Sequence, residues 1–313
     1  MSRPLTARGA DRVRRPEIPT RLLVHALVRE DGTVDAAELY RVAGLLGMTD
    51  QQVRLCVKRL VAEERFRQDG RGRRAVLRAV SDAATGALAP DADHVRYAYR
   101  QDAGLEPWDG VWRLFAFAVP EERRAVRDAL RGTLLHLGAA PLQGGLYVAA
   151  NPIAGLVEAR ARQLDALGSV TFLTSTDLRV GGVSDPAELA AALWPLDAIA
   201  ARYEDLAAHA AAGAGRPARW ADGPGPSGAE RITAALELAA AFSTAMTPDP
   251  LLPPELLPRP WPGRRARRLA RACWAALGAL PAERAAAPVP RLFRLYDEAF
   301  AAPEEPERDG LRR

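Results

Sequence analysis

Lysine is nearly absent from this 313-residue chain: Lys58 is the single one, and arginine carries almost all the positive charge. An arginine excess therefore reflects residue usage as much as affinity for a polyanion, and charge alone decides nothing. Cysteine is almost as scarce. Cys56 and Cys273 stand far apart without CxxC spacing, which argues against a disulfide framework or a zinc site and reads as two buried thiols. No run of about 18 apolar residues occurs, so no membrane span is expected. Arg3, Arg8, Arg12, Arg14 and Arg15 interrupt any signal-peptide core at the start, and together these absences point to the cytoplasm.

Catalytic signatures are missing too. There is no GxxxxGK[ST], HExxH or GxSxG, and His25, His94, His136 and His209 are scattered singly. His25 and His136 fall on helical patterns, where a hydrogen-bonded structural histidine is the expected reading. Gly223, Gly225 and Gly228 satisfy GxGxxG, but Pro224 and Pro226 fill the gaps and no strand precedes them, so no dinucleotide site is read there. No cofactor and no metal is expected.

What is present is an ordinary globular composition, 48% hydrophobic and 26% charged, at a length that suggests two or three domains. Residues 1–80 hold 17 Lys and Arg against 10 Asp and Glu, an excess of seven positive charges, while the remainder is slightly acidic. A basic head on an acidic body is the asymmetry of a chain in which one domain meets nucleic acid.

The head reads as three short helices. Leu22, Leu23, Ala26 and Leu27 recur at helical spacing between Pro19 and Glu30. Asp35 caps a second helix, with Glu38 three residues on, and Gly47 ends it. Thr49 caps a third with Gln52 in the matching position, and Val53, Cys56, Val57 and Leu60 form its inward stripe. Gly70 to Arg73 then turn a basic hairpin, a wing.

Residues 81–107 read as a connector with a short ordered piece around Val95, Tyr97 and Tyr99. From Val111 the order is strand, helix, strand, strand, helix, strand, which predicts a ferredoxin-like middle domain over 108–182. Beyond Gly182 the pattern is helical to 302, softest over 213–228, with a charged tail from 303 to 313. The fold class is thus α+β and multidomain: a winged helix-turn-helix over 1–80, a ferredoxin-like middle domain and a helical C-terminal domain for effector binding or dimerisation.

Opposite the inward stripe of the third helix lie Gln51, Arg54, Leu55, Lys58 and Arg59. Glutamine can bond an adenine edge, arginine a guanine edge or a phosphate, and leucine a thymine methyl, as a recognition helix in the major groove requires. Arg71, Arg73 and Arg74 would grip phosphate or minor groove from the wing, and Thr49 and Gln52 at the start of the helix complete the expected DNA-binding set. On one helix alone, an ordinary solvated face is the better reading; helix order, the caps at Thr49 and Gln52, and the basic hairpin together favour DNA.

Three segments carry a resemblance: "MTDQQVRLCVKRLVAEERFRQDGRGRRAVLRAV", "WDGVWRLFAFAVPEERRAVRDALRGTLLHLGAAPLQGGLYVAANP" and "DPLLPPELLPRPWPGRRAR". With them the chain resembles the PaaX family of bacterial transcriptional repressors of aromatic-acid catabolism, which respond to an acyl-CoA effector. The resemblance implies a double-stranded DNA operator, a homodimer and a middle domain similar to the ferredoxin-like CRISPR-associated nucleases. Those nucleases carry a metal-binding aspartate at the end of the first strand, where this chain has Ala118, Val119 and Pro120, so metal-dependent cleavage loses its carboxylate. Family members often have an aromatic and basic helix before the Asp-Pro-Leu-Leu-Pro run; here Ala239, Ala240, Ala241, Phe242 and Ser243 stand there, which puts phenylacetyl-CoA itself in question. Arg264, Arg265, Arg267 and Arg268 are candidates for CoA phosphates, against the plainer reading of a solvated helix face. The reading is a ligand-released, non-enzymatic repressor; its alternatives are a non-switching nucleic-acid-binding protein and a metal-dependent nuclease.

Overall fold

The computed structural model describes residues 16–81, 90–221, 226–279 and 289–301. These form eleven α-helices and two small antiparallel sheets. Packing gathers the described residues into two compact units, one drawn from 1–90, 202–244 and 265–298, the other from 91–201, 245–264 and 299–313. The arginines at positions 3 to 15, Gly223, Gly225 and the tail 303–313 lie outside the described residues.

The first unit opens with α1 (Thr20–Ala26), β1 (Thr33–Asp35), α2 (Ala36–Leu45), α3 (Asp50–Ala62), β2 (Phe66–Asp69) and β3 (Val76–Ala79). The strands pair antiparallel in the order β1-β3-β2. The expected first helix is cut short at Ala26, because Val28 instead accepts a backbone hydrogen bond from Arg291 at 2.9 Å and Arg29 bridges Pro290. Asp35 caps α2 as its spacing predicts, its Oδ1 accepting from the Glu38 amide at 2.8 Å. Gly47, at φ +80°, takes the left-handed conformation that stops the helix. Leu23, Leu27, Leu39, Val42, Val53, Leu60, Phe66 and Leu77 are buried. Burial of a Leu or Val side chain is worth about 1.5–3 kcal/mol, so this stripe, and not propensity, holds three short helices together.

The second unit contains α4 (Ala92–Asp102), β4 (Trp112–Phe117), α5 (Arg124–His136), β5 (Ala140–Pro141), β6 (Leu146–Ala149), α6 (Ala154–Gln163), β7 (Val170–Ser175) and α7 (Pro186–Leu193). Its sheet runs β5-β6-β4-β7 with every neighbour antiparallel, and the short second strand is present. Phe115, Leu134, Tyr147, Ile153 and Val157 form one buried cluster beneath α5 and α6. The segment read as a connector holds a full helix, α4, with Val95, Ala98 and Tyr99 buried.

Four further helices follow: α8 (Leu196–Ala221), α9 (Gly228–Met246), α10 (Gly263–Gly278) and α11 (Leu292–Phe300). α8 continues as helix to Ala221, through most of the stretch read as soft. Within the first unit, Trp274 stacks on Tyr296 with centroids 4.6 Å apart, and its Nε1 donates to Asp297 Oδ1 at 2.8 Å. Among the described residues, no helix is long and apolar enough to cross a membrane. Cys273 is buried, but Cys56 is only half-buried, which corrects the expectation of two buried thiols.

Candidate nucleic-acid interface

α3 is placed by its own first turn. Thr49 Oγ1 accepts from the Gln52 amide at 3.2 Å, and Gln52 Oε1 accepts from the Thr49 amide at 2.7 Å, a reciprocal capping box that satisfies two donors left without helical partners. The Thr49 hydroxyl also donates to Gln52 Oε1 at 3.1 Å. Both side chains, assigned above to DNA, are thus engaged with each other in building the helix start.

With Val53 and Leu60 buried beneath, Gln51, Arg54, Leu55 and Lys58 are exposed on the outer face; Leu55 keeps 49% of its surface. Arg54, Leu55 and Lys58 line a cleft of about 510 Å³ that is shared with Tyr40 of α2, Gln68 of β2 and Arg71 of the hairpin turn. The structure therefore brings three of the α3 candidates together with one wing candidate. Tyr40 and Gln68 went unread: one sits beside the inward Leu39, the other in a strand too short to show alternation. An aromatic beside a helix's apolar stripe was the only available signal.

The wing arginines divide. Arg73 Nη2 donates to Asp50 Oδ2 at 3.1 Å and its guanidinium lies 5.5 Å from the centre of the Tyr40 ring, so it braces the turn against the start of α3. A phosphate would have to compete with Asp50 for it. Arg71 and Arg74 are exposed. The turn is shaped by Gly70 at φ +84°, where an added Cβ would lie 3.4 Å from the Arg74 carbonyl oxygen, and Gln68 Nε2 donates to the Gly70 carbonyl at 3.1 Å.

Arg59 belongs to a different flank. It acts electrostatically on Cys56 and Glu63, beside the two-pronged contact of Arg21 Nη1 and Nη2 with Glu63 Oε1 and Oε2 at 3.1 and 2.7 Å. The hydrogen bonds from Arg21 hold the Glu63 carboxyl below its usual range, while partial burial pushes the Cys56 thiol up against the opposing pull of Arg21 and Arg59. A raised thiol is a poor nucleophile.

On α10, Arg264, Arg265 and Arg268 are exposed. Arg267 is not part of that face: it is buried, donates to the Tyr203 hydroxyl at 2.8 Å and lies over the Tyr203 ring at 5.2 Å. Among the described residues, no group of three or more His, Cys, Asp or Glu is placed to hold a metal ion.

Two family models match the chain: the PaaX protein central Cas2-like domain over residues 105–190 and the PaaX-like protein C-terminal domain over residues 194–286. The chain belongs to the PaaX family. Membership places it among transcriptional regulators. Both matches begin beyond the three-helix head, which rests on its own geometry. No curated protein matches the PaaX-family chain described here. A solved structure, the uncharacterized protein Rv0674 from Mycobacterium tuberculosis, aligns over 83% of this chain and 97% of that one, at 21% identity and a TM-score of 0.46.

Proposed function

We propose that this PaaX-family protein is a sequence-specific repressor whose head is a winged helix-turn-helix and whose α3 enters the major groove of a DNA operator. The observation that supports the reading is the cleft in which Arg54, Leu55 and Lys58 of α3 face Gln68 and Arg71 of the hairpin. Arg54, Lys58 and the Leu55 tip on the α3 rim, with the Gln68 amide and Arg71 on the hairpin rim, supply guanine, phosphate, thymine and adenine partners around one cleft. Gln51 extends that face; Arg59, Arg71 and Arg74 contact phosphate, whereas Thr49, Gln52 and Arg73 hold the reading helix and wing in place.

The rest of the reading follows the family. The protein acts in the cytoplasm as a homodimer on two half-sites, with a ferredoxin-like domain over 108–182 and a helical domain over 183–302. An aryl- or acyl-CoA releases it, with Arg264, Arg265 and Arg268 as the exposed cations that could meet CoA phosphates. Release requires that the effector prefer the DNA-incompetent arrangement, and a typical coupling of about 1–3 kcal/mol gives a 5- to 150-fold effect.

Arg54→Ala and Lys58→Ala test the assignment. Each is expected to weaken operator binding by roughly 5- to 150-fold, the scale of about 1–3 kcal/mol for a lost base contact, with an unchanged circular dichroism spectrum. Wild-type affinity in both variants overturns it.

A further inference from the structure

The second unit contains an open cavity of about 380 Å³, in the range of small-molecule sites. Leu137, Pro152, Ile153, Leu156, Pro250 and Leu251 supply its apolar lining, and Asp91, Asp93, His94, Tyr97, His136 and Asn151 its polar one. One wall is unusually fixed. Leu251 sits at φ +51°, a left-handed conformation that leucine rarely adopts. Its carbonyl accepts from Gln101 Nε2 at 2.7 Å and from Asn151 Nδ2 at 2.9 Å, and Asn151 Nδ2 also donates to the Pro250 carbonyl at 3.1 Å. Gly138 lets this turn dock: a Cβ there would lie 2.7 Å from the Pro250 carbonyl oxygen. Backbone held off its preferred conformation by buried amides makes a preformed wall, which lowers the ordering cost of binding.

The polar side chains of the lining can accept hydrogen bonds but have little left to donate. Both Asn151 amide hydrogens are engaged, and its Oδ1 accepts the Tyr97 hydroxyl proton at 3.1 Å, so Tyr97 offers only lone pairs. His94 Nε2 lies 3.2 Å from the Met246 carbonyl, which can only accept; Nε2 therefore carries the proton and Nδ1 is left as an acceptor. Burial pushes the His94 imidazole down, so it stays uncharged. Pro152 and Pro250 have no N–H. Asp91 and Asp93 add carboxylates: Asp91 Oδ1 already accepts from the His94 amide at 3.1 Å, and Asp93 pairs with Arg96. Among the lining side chains only the exposed His136 still has a proton to offer. A carboxylate, thioester or phosphate would meet side-chain acceptors.

We propose that this cavity binds a small hydrophobic amine in its ammonium form, with the cation toward Asp91 and an aryl or short alkyl body over Leu137, Ile153 and Leu156. The donor count sets the class: an ammonium brings three N–H donors and a positive charge to a site rich in lone pairs. Its apolar body covers the hydrophobic lining. The proposal concerns binding alone and stands apart from the DNA-reading assignment.

Isothermal titration of the full chain with benzylamine, benzoate and benzyl alcohol separates the chemistries. Saturable binding of benzylamine is expected, with benzoate not bound and the alcohol weaker than the amine. Asp91→Asn keeps a capping oxygen for α4 while removing the charge, and is expected to weaken benzylamine at least about tenfold, as loss of a charged hydrogen bond does. Leu156→Lys, at a position 60% exposed in the native chain, places a competing cation at the rim without disturbing the core and is expected to abolish binding. Benzoate binding as tightly as benzylamine, no saturable benzylamine binding at millimolar concentration, or unaltered affinity in Leu156→Lys overturns the proposal.

Discussion

At the scale of single residues, His94 shows how burial outweighs nearby charge. Desolvation lowers its pKa, and Asp249, the Met246 carbonyl and Asp91 only partly restore it, with His136 pulling the same way as burial. The unfolded chain, near the ordinary value of 6.5, takes up the proton first. The contribution of His94 to stability is therefore complete above that value and is lost as pH falls below it. Thermal midpoints measured between about pH 7.5 and 5 should fall less steeply in His94→Gln than in the wild type; identical slopes would contradict the account. His25, expected on a helix as a structural histidine, is buried and packs its ring 5.4 Å from Phe66. Arg267 was not legible. One of the five arginines of α10 is turned inward to Tyr203, and no pattern of charge distinguishes it from its neighbours.

At the scale of elements, local chemistry was readable wherever a cap or a stripe recorded it. Asp35, Gly47, Thr49 and Gln52 announced α2 and α3 because each satisfies, or ends, a helix's own backbone bonds. α4 left a weaker trace, since its buried Val95, Ala98 and Tyr99 are spread among charged residues. β1, three residues long, is defined by pairing with β3 and not by its own alternation. α8 defeated the breaker rule: Gly213, Gly215 and Pro217 read as the start of a loop, yet the helix runs on to Ala221 in an alanine-rich sequence. The capping box makes a direct prediction. Thr49→Ala should cost about 1 kcal/mol, seen as a lowered thermal midpoint, while Thr49→Ser, which keeps the oxygen, should stay near wild type. Equal losses in both variants would mean that the box contributes nothing.

At the scale of the whole molecule, the organisation is least visible from sequence. The described residues of 202–244 and 265–298 belong to the unit that holds the head, while 245–264 belong to the one that holds β4 to β7. Periodicity reports which face of an element is buried, not which distant segment covers it. The net charge has the same limit: an arginine-rich head predicts attraction to phosphates without saying which base pairs are read.

The central claim is that the head reads DNA sequence through α3, and one measurement addresses it most directly. The purified full-length protein selects fragments from genomic DNA, and the recovered site is titrated at two salt concentrations with wild type and Arg54→Ala. The account predicts a site with two related half-sites in inverted repeat, affinity that falls with salt, and weaker, less selective binding by the variant. Recovery of fragments without a shared sequence, or a selected site bound equally by wild type and variant, would contradict it.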